Sequence, residues 1–512
     1  MASNFYQLTS RAKPDRSIVP GLVIMAVAVF VGLMVFALNS DIGESFPYFF
    51  MLPWLFALAI VLLTPTVILY YRGKFTIADP LMFATWGYFF PAFVIGGTVL
   101  AAGWSQPYYL SFIQDAEINL PWTLVLIMLG FAGLSIGYFL PVGHWIGKTI
   151  EHYLPKRDYE PSAYVVPGLA LMVLGFSNFL LAIFLGVLGF QRAEELNSYD
   201  GIVILTSFFW LQASFLLWYI VFREWRITTQ NLMIIGLLLV TALGKAVLTG
   251  NRGSLIQIFV LAGLAYFLAG RKMNFKQGVI AAALLMFCLV AGMIYGSTFR
   301  NVKGTQATQS VGEYTDNIAE TFDKVGTDDN LETLTFGVQS LADRLDTVSS
   351  LAVVVSSYEQ LAPYEESYGL DNNIWKDLST FFVPRLIWND KPVASDPHKY
   401  SDLYFNYEEN AFAITSMGDL LRNYGVAGVL LGMIVLGIIL RTIYRGLVDE
   451  QPRIIWRAML YFMLLTSISY EGFYGYIIPL MVKVGIAAVV GVIIANFIAK
   501  RFSSSNSATP AH

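Results

Sequence analysis

Only one cysteine, Cys288, and four histidines occur in 512 residues, and charged side chains make up 13%. A lone cysteine inside an apolar run excludes a disulfide framework and any cysteine-based metal centre. So little charge beside 56% hydrophobic residues excludes a soluble multidomain protein. No basic tract suits nucleic acid, and the net charge is −4. A Walker-type glycine loop and an HExxH pair are also missing, so nucleotide cradling and zinc-protease chemistry have no residues to act through. Gly133 to Gly137 matches G-x-S-x-G, but it lies within an apolar run and lacks the strand-to-helix turn that exposes a nucleophile. It reads as a helix-packing face.

What is abundant is apolar runs of about 20 residues, long enough to cross a hydrocarbon core of ~30 Å. Unpaired backbone polar groups are costly in lipid, so these runs must be helices and the fold class is all-α. Twelve spans are expected, at 18–38, 48–70, 80–102, 121–141, 163–189, 201–221, 231–249, 254–270, 278–297, 423–440, 454–470 and 477–498. The first is too long for a signal-peptide core and reads as an uncleaved span. With both termini inside, the short inner connections hold nineteen Lys and Arg, and the short outer loops hold only Arg192 and Arg252. This orients the chain in its membrane with both termini on the inner side. It divides the chain into helices 1–9 over 1–298, an outward-facing insertion over 299–422 acting as a lid, helices 10–12 over 423–500, and a disordered inner tail over 501–512.

The insertion carries twenty Asp and Glu against nine Lys and Arg, so an anionic ligand there needs a focused basic pocket. Leu334, Val338, Leu341, Leu345, Val348, Ala352 and Val355 recur at helical spacing, which predicts one amphipathic helix starting near Asp329 and Glu332. From Pro363 to Asn410 the pattern predicts loop with short helices. Thr249 to Ser254 reads as a tight turn closing a helical hairpin with its tip outside. Span ten begins at Asn423 in this reading, which leaves Ala411 to Arg422 as an interfacial helix.

Ionisable residues inside spans are costly and mark functional sites. Lys245, Glu471 and Lys483 fall in or at the ends of spans, with Asp419 and Arg422 just before one. Snorkelling of Lys245 and pairing of Glu471 with Lys483 are the structural alternatives. Arg252, Arg300, Arg344 and Arg385 stand at span ends or in the insertion and suit phosphate oxygens, which a planar guanidinium binds bidentately. Asp419, Glu408, Glu409 and His398 compete as a general base. Trp388 and Tyr404, with the neighbouring aromatics, suit sugar stacking or interface anchoring.

Four patches carry a family likeness. They are Thr249-Gly250-Asn251-Arg252-Gly253-Ser254, the helix with Arg344, Phe382-Val383-Pro384-Arg385-Leu386-Ile387-Trp388-Asn389-Asp390-Lys391-Pro392, and Met417-Gly418-Asp419-Leu420-Leu421-Arg422-Asn423-Tyr424-Gly425-Val426-Ala427-Gly428. Together they resemble the bacterial O-antigen and oligosaccharide repeat-unit polymerases (Wzy-type). The resemblance implies a polymerase that moves a growing glycan from undecaprenyl pyrophosphate onto another lipid-linked repeat unit, without metal or cofactor. It implies donor-phosphate contacts from Arg252, Arg344 and Arg385, with Arg300, Arg422, Lys391 and Lys245 as neighbours. A chain-length regulator and a flippase are the partner proteins such a system implies. An O-antigen ligase and a lipid-glycan flippase are the alternatives.

Overall fold

The computed structural model describes residues 47–185, 200–226, 228–250, 252–304, 311–327, 342–383, 387–388, 391, 393–407, 411–450 and 454–506. The expected first span, 18–38, lies outside them. Regular structure among these residues is wholly helical. In chain order the helices are α1 (Leu52–Tyr71), α2 (Pro80–Ala101), α3 (Ala116–Phe139), α4 (Pro141–Tyr153), α5 (Val165–Phe184), α6 (Asp200–Glu224), α7 (Thr229–Thr249) and α8 (Arg252–Leu268). They continue as α9 (Phe275–Lys303), α10 (Val311–Thr327), α11 (Thr347–Tyr368), α12 (Asn373–Thr380), α13 (Pro397–Phe405), α14 (Ser416–Leu447), α15 (Ile455–Thr466) and α16 (Tyr474–Asn506). Nine of the described helices are long and apolar enough to cross a membrane, while α8 and α15 are shorter apolar helices. The chain is a helical membrane protein of several spans.

Local chemistry sets several boundaries. Asp79 caps α2 by accepting from the Leu81 and Met82 N–H groups at 3.0 and 3.3 Å, with Pro80 in the first turn. Gly250, at φ 57°, closes α7 in the left-handed conformation and turns the chain into α8, the hairpin that the glycine-flanked turn predicts. α14 starts at Ser416 and breaks at Gly425 (φ 64°, ψ −166°), a conformation open essentially to glycine alone. The short helix ahead of Gly425 corresponds to the segment expected to stand apart from the tenth span.

Two expectations for the polar segment 299–422 are corrected. The helix expected to run unbroken through 355 is interrupted at Asp346, whose carboxylate caps α11 through the Ser349 N–H at 3.0 Å and accepts from the Ser105 hydroxyl at 2.9 Å. α11 then continues through Pro363 to Tyr368 and ends on Gly369 at φ 72°. A proline removes one helical hydrogen bond, and here the surrounding packing outweighs that loss. α11 is also no lid. Its residues from Thr347 to Val355 are all buried, and it packs against α2, α3, α13 and α14 as part of the core.

The described helices form two cores. One gathers α1, α2, α3, α11, α13 and α14 with the first turns of α16; the other gathers α5 to α8, α15 and the remainder of α16. α3 and α14 run in the same direction at very close range. Cβ atoms on Gly133, Gly137 and Gly143 would meet the carbonyl oxygens of Leu430, Ile434 and Ile438 in turn, and one on Gly437 would lie 2.1 Å from Leu134 O. The G-x-S-x-G match is therefore a packing face. Gly137→Ala would put a Cβ 2.0 Å from Ile434 O. It should destabilise the protein by about 3 kcal/mol, the upper end of ordinary overpacking, because backbone cannot rotate away as a side chain can. Gly236→Ala, with open space around the new methyl, should be neutral or slightly stabilising. Thermal unfolding of the two variants in detergent checks the contrast.

Candidate functional site

Asp419 and Arg422 lie one turn apart at the start of α14. Thr415 caps that helix through the Gly418 N–H at the strained backbone angle φ 61°, a left-handed conformation that β-branched residues rarely adopt. Its own N–H and that of Ser416 donate to Glu471 O and Tyr470 O, both at 3.0 Å, which ties the head of α14 to the irregular stretch between α15 and α16.

The side chains of Arg422 and Asp419 are fully buried. Nε and Nη2 of Arg422 reach Asp419 Oδ1 at 3.0 and 2.9 Å. Nη1 reaches Glu365 Oε1 at 3.0 Å and Leu370 O at 3.1 Å, while Nη2 also donates to Asn373 Oδ1 at 2.6 Å. All five guanidinium N–H groups are thus engaged. Asp419 Oδ2 accepts from Asn373 Nδ2 and from the Gly475 N–H at 3.3 and 3.2 Å. Tyr404 OH donates to Glu365 at 2.8 Å. One arginine and two carboxylates from α11 and α14 are locked together with Asn373 of α12, Tyr404 of α13 and the first turn of α16. Such a network fixes five helices in place and leaves neither Arg422 a donor for phosphate nor Asp419 an open oxygen for a substrate proton.

The accessible chemistry lies one layer out. Asp377, on α12, is half-buried and accepts from the Ser395 hydroxyl, which in turn accepts from Asn373 Nδ2 at 2.8 Å. Burial, and secondly the charge of Asp419, push its carboxyl above the usual range, against the opposing pull of Ser395, Lys483 and Lys391. α16 approaches α12 closely here, since a Cβ on Gly475 would lie 2.8 Å from Ile374 Cα and 3.3 Å from Asp377 Oδ2. Lys483 on α16 sits over the Tyr476 ring at 5.7 Å. Trp375, Trp388, Tyr424 and Tyr476 are exposed nearby along the chain, Trp375 at 64%. One helical turn beyond Gly475, Ile478 begins an apolar groove of about 770 Å³ between α14, α15 and α16, which Val482, Ile486 and Val490 continue and Thr442 alone makes polar.

The other candidates are dispersed. Lys391 donates to Thr380 O and Val383 O at 2.7 and 3.1 Å, closing the end of α12. His398 is part-buried in the first turn of α13, where its backbone N–H donates to Asp396. Arg344 is exposed next to the start of α11, about five helical turns before Glu365. Lys245 belongs to the other core. Arg252 and Arg300 lie in α8 and α9, with side chains outside the described residues, and Arg385, Glu408 and Glu409 lie outside them altogether. Sequence reasoning missed Glu365, Asn373 and Asp377, and nothing in their spacing distinguishes them.

The profile of a family described as "Domain of unknown function (DUF8712)" matches residues 167–447. The match runs from α5 to the end of α14 and takes in Glu365, Asp377, Asp419 and Arg422. No curated protein and no solved structure matches the chain.

Proposed function

We propose that this chain, which belongs to the DUF8712 family, is a membrane glycosyltransferase that polymerises oligosaccharide repeat units carried on undecaprenyl pyrophosphate. The observation that carries the reading is an apolar groove along α16 that starts one turn beyond Gly475, where α12 brings the half-buried Asp377 carboxylate against that helix. A carrier chain lying in the groove places its pyrophosphate at the first turns of α16, beside Lys483. Asp377 then takes the proton of an acceptor sugar hydroxyl. The oxygen attacks the anomeric carbon of the donor glycan, the bond from that carbon to the pyrophosphate oxygen breaks, and the lipid pyrophosphate leaves with the electron pair. The leaving group is already stable, so positioning and charge neutralisation supply most of the rate. Exposed Trp375 and Trp388 provide stacking surface for sugar rings. Arg252, Arg300 and Arg385 remain donor-phosphate candidates in this reading.

The topology proposed with it has twelve spans, both termini in the cytoplasm and the 299–422 segment at the periplasmic face of the inner membrane. The common direction of α3 and α14 supports this, because five spans between them, α8 included, return the chain to the side on which α3 began. Deleting the gene in its native host should collapse the ladder of surface polysaccharide on a gel to single-repeat glycan. An unchanged ladder overturns the reading. So does polymer stranded on carrier lipid, the mark of a ligase, or loss of all outer glycan, the mark of a flippase.

A further inference from the structure

Lys245 stands one turn before the end of α7, inside an apolar span of the second core. Its ammonium donates to the neutral amide of Gln257 at 2.8 Å and lies over the rings of Trp210 and Phe179, 4.4 and 5.8 Å from their centres. Ring faces attract a cation without neutralising it, and an amide oxygen likewise carries no countercharge. Among the described residues no carboxylate pairs with it. The same indole that the ammonium covers presents a second anomaly. Trp210 is 3% exposed, and its Nε1–H has no acceptor among the described residues. A buried donor left without an acceptor is costly, and an unpaired charge in a span marks a functional site by default.

We propose that Lys245 and the Trp210 N–H form a receptor for the phosphate of a lipid, enclosed by α5, α6, α7 and α8. A cation without a countercharge beside an N–H without an acceptor suits an anion with several acceptor oxygens. Lys245 is part-buried, not sealed in the core. Because the helices around it are apolar, the anion that reaches it most readily is one attached to hydrocarbon. The site shares no residue with the Asp377 region, so it stands whether or not the chain transfers glycans.

The test uses the purified full chain in an uncharged detergent and reads its thermal midpoint with dioleoylphosphatidic acid, dioleoylglycerol and inorganic phosphate as probes. Phosphatidic acid should raise the midpoint by a few degrees, and the other two should not. Lys245→Met should unfold at the same or a higher temperature than wild type without lipid, since it removes an uncompensated charge from an apolar setting, and should lose the lipid response. Trp210→Phe keeps the ring and should weaken the response. An equal shift in Lys245→Met, no shift in wild type, or a lowered midpoint of lipid-free Lys245→Met overturns the proposal. An equal shift from inorganic phosphate makes the ligand the free anion and removes the lipid from it.

Discussion

Arg422→Leu should leave little folded protein in the membrane. Glu365 and Asp419 would then face one another in the core with no cation, and Leu370 O and Asn373 Oδ1 would lose their donors. Removing one partner of a buried ionic network costs about 3 to 5 kcal/mol, which is a large share of the 5 to 15 kcal/mol that typically holds a domain folded. Lysine at 422 has three donors on a single nitrogen in place of a planar fork of five, so Arg422→Lys should recover only part of the loss. Because the damage comes from the stranded charges, adding Glu365→Gln and Asp419→Asn to Arg422→Leu should restore more folded protein than either arginine variant alone. Expression level and thermal midpoint of the detergent-extracted protein decide the matter. Wild-type values for Arg422→Leu would show that the network is not what holds α11, α12, α14 and α16 together.

The same network shows how far the sequence is legible. Apolar runs point to α1 to α3, α5 to α9 and α14 to α16, because burying backbone in lipid leaves a chain few other options, whereas the less apolar helices α4, α10, α12 and α13 give no such run. Ionisable residues out of place in those runs point to Asp419 and Arg422. That the two neutralise each other depends on Glu365 and Asn373, about 50 residues earlier in the chain, and no local pattern encodes that meeting. Asp377 is one of twenty acids in its segment; Gly475, Ser395 and Lys483 set it apart, and only the fold brings them together. Lys391 reads as a ligand for phosphate because it is a cation among acids, yet its ammonium closes α12. Periodicity carries the expected helix across Asp346 because a capping carboxylate does not disturb the spacing of apolar residues on either side. Pro363 reads as a breaker because propensity takes no account of the buried turns that precede it.

Asp377→Asn should reduce glycan transfer by roughly 10²- to 10⁴-fold, the usual contribution of a positioned general base, without lowering the thermal midpoint. The amide keeps an oxygen for the Ser395 hydroxyl and fits the same space beside Gly475. The stability expectation follows from the direction of the proton equilibrium. A carboxyl raised in the folded state binds its proton more tightly there than in the unfolded chain, so the stability it contributes falls as pH rises through the interval between the two values. At neutral pH the ionised wild-type group is therefore mildly destabilising, and the uncharged amide is not. The rate moves the opposite way, because a base works only when deprotonated. Wild-type activity should rise with pH along a limb centred above the usual carboxylate range, and the residual activity of Asp377→Asn should lack that limb. Asp419→Asn offers the contrast, since Asp419 is saturated by Arg422, Asn373 and Gly475. It should lower stability and protein level while the molecules that do fold keep the wild-type pH limb. If instead the limb disappears in Asp419→Asn and persists in Asp377→Asn, the base is the buried carboxylate, and the Arg422 network must open during turnover.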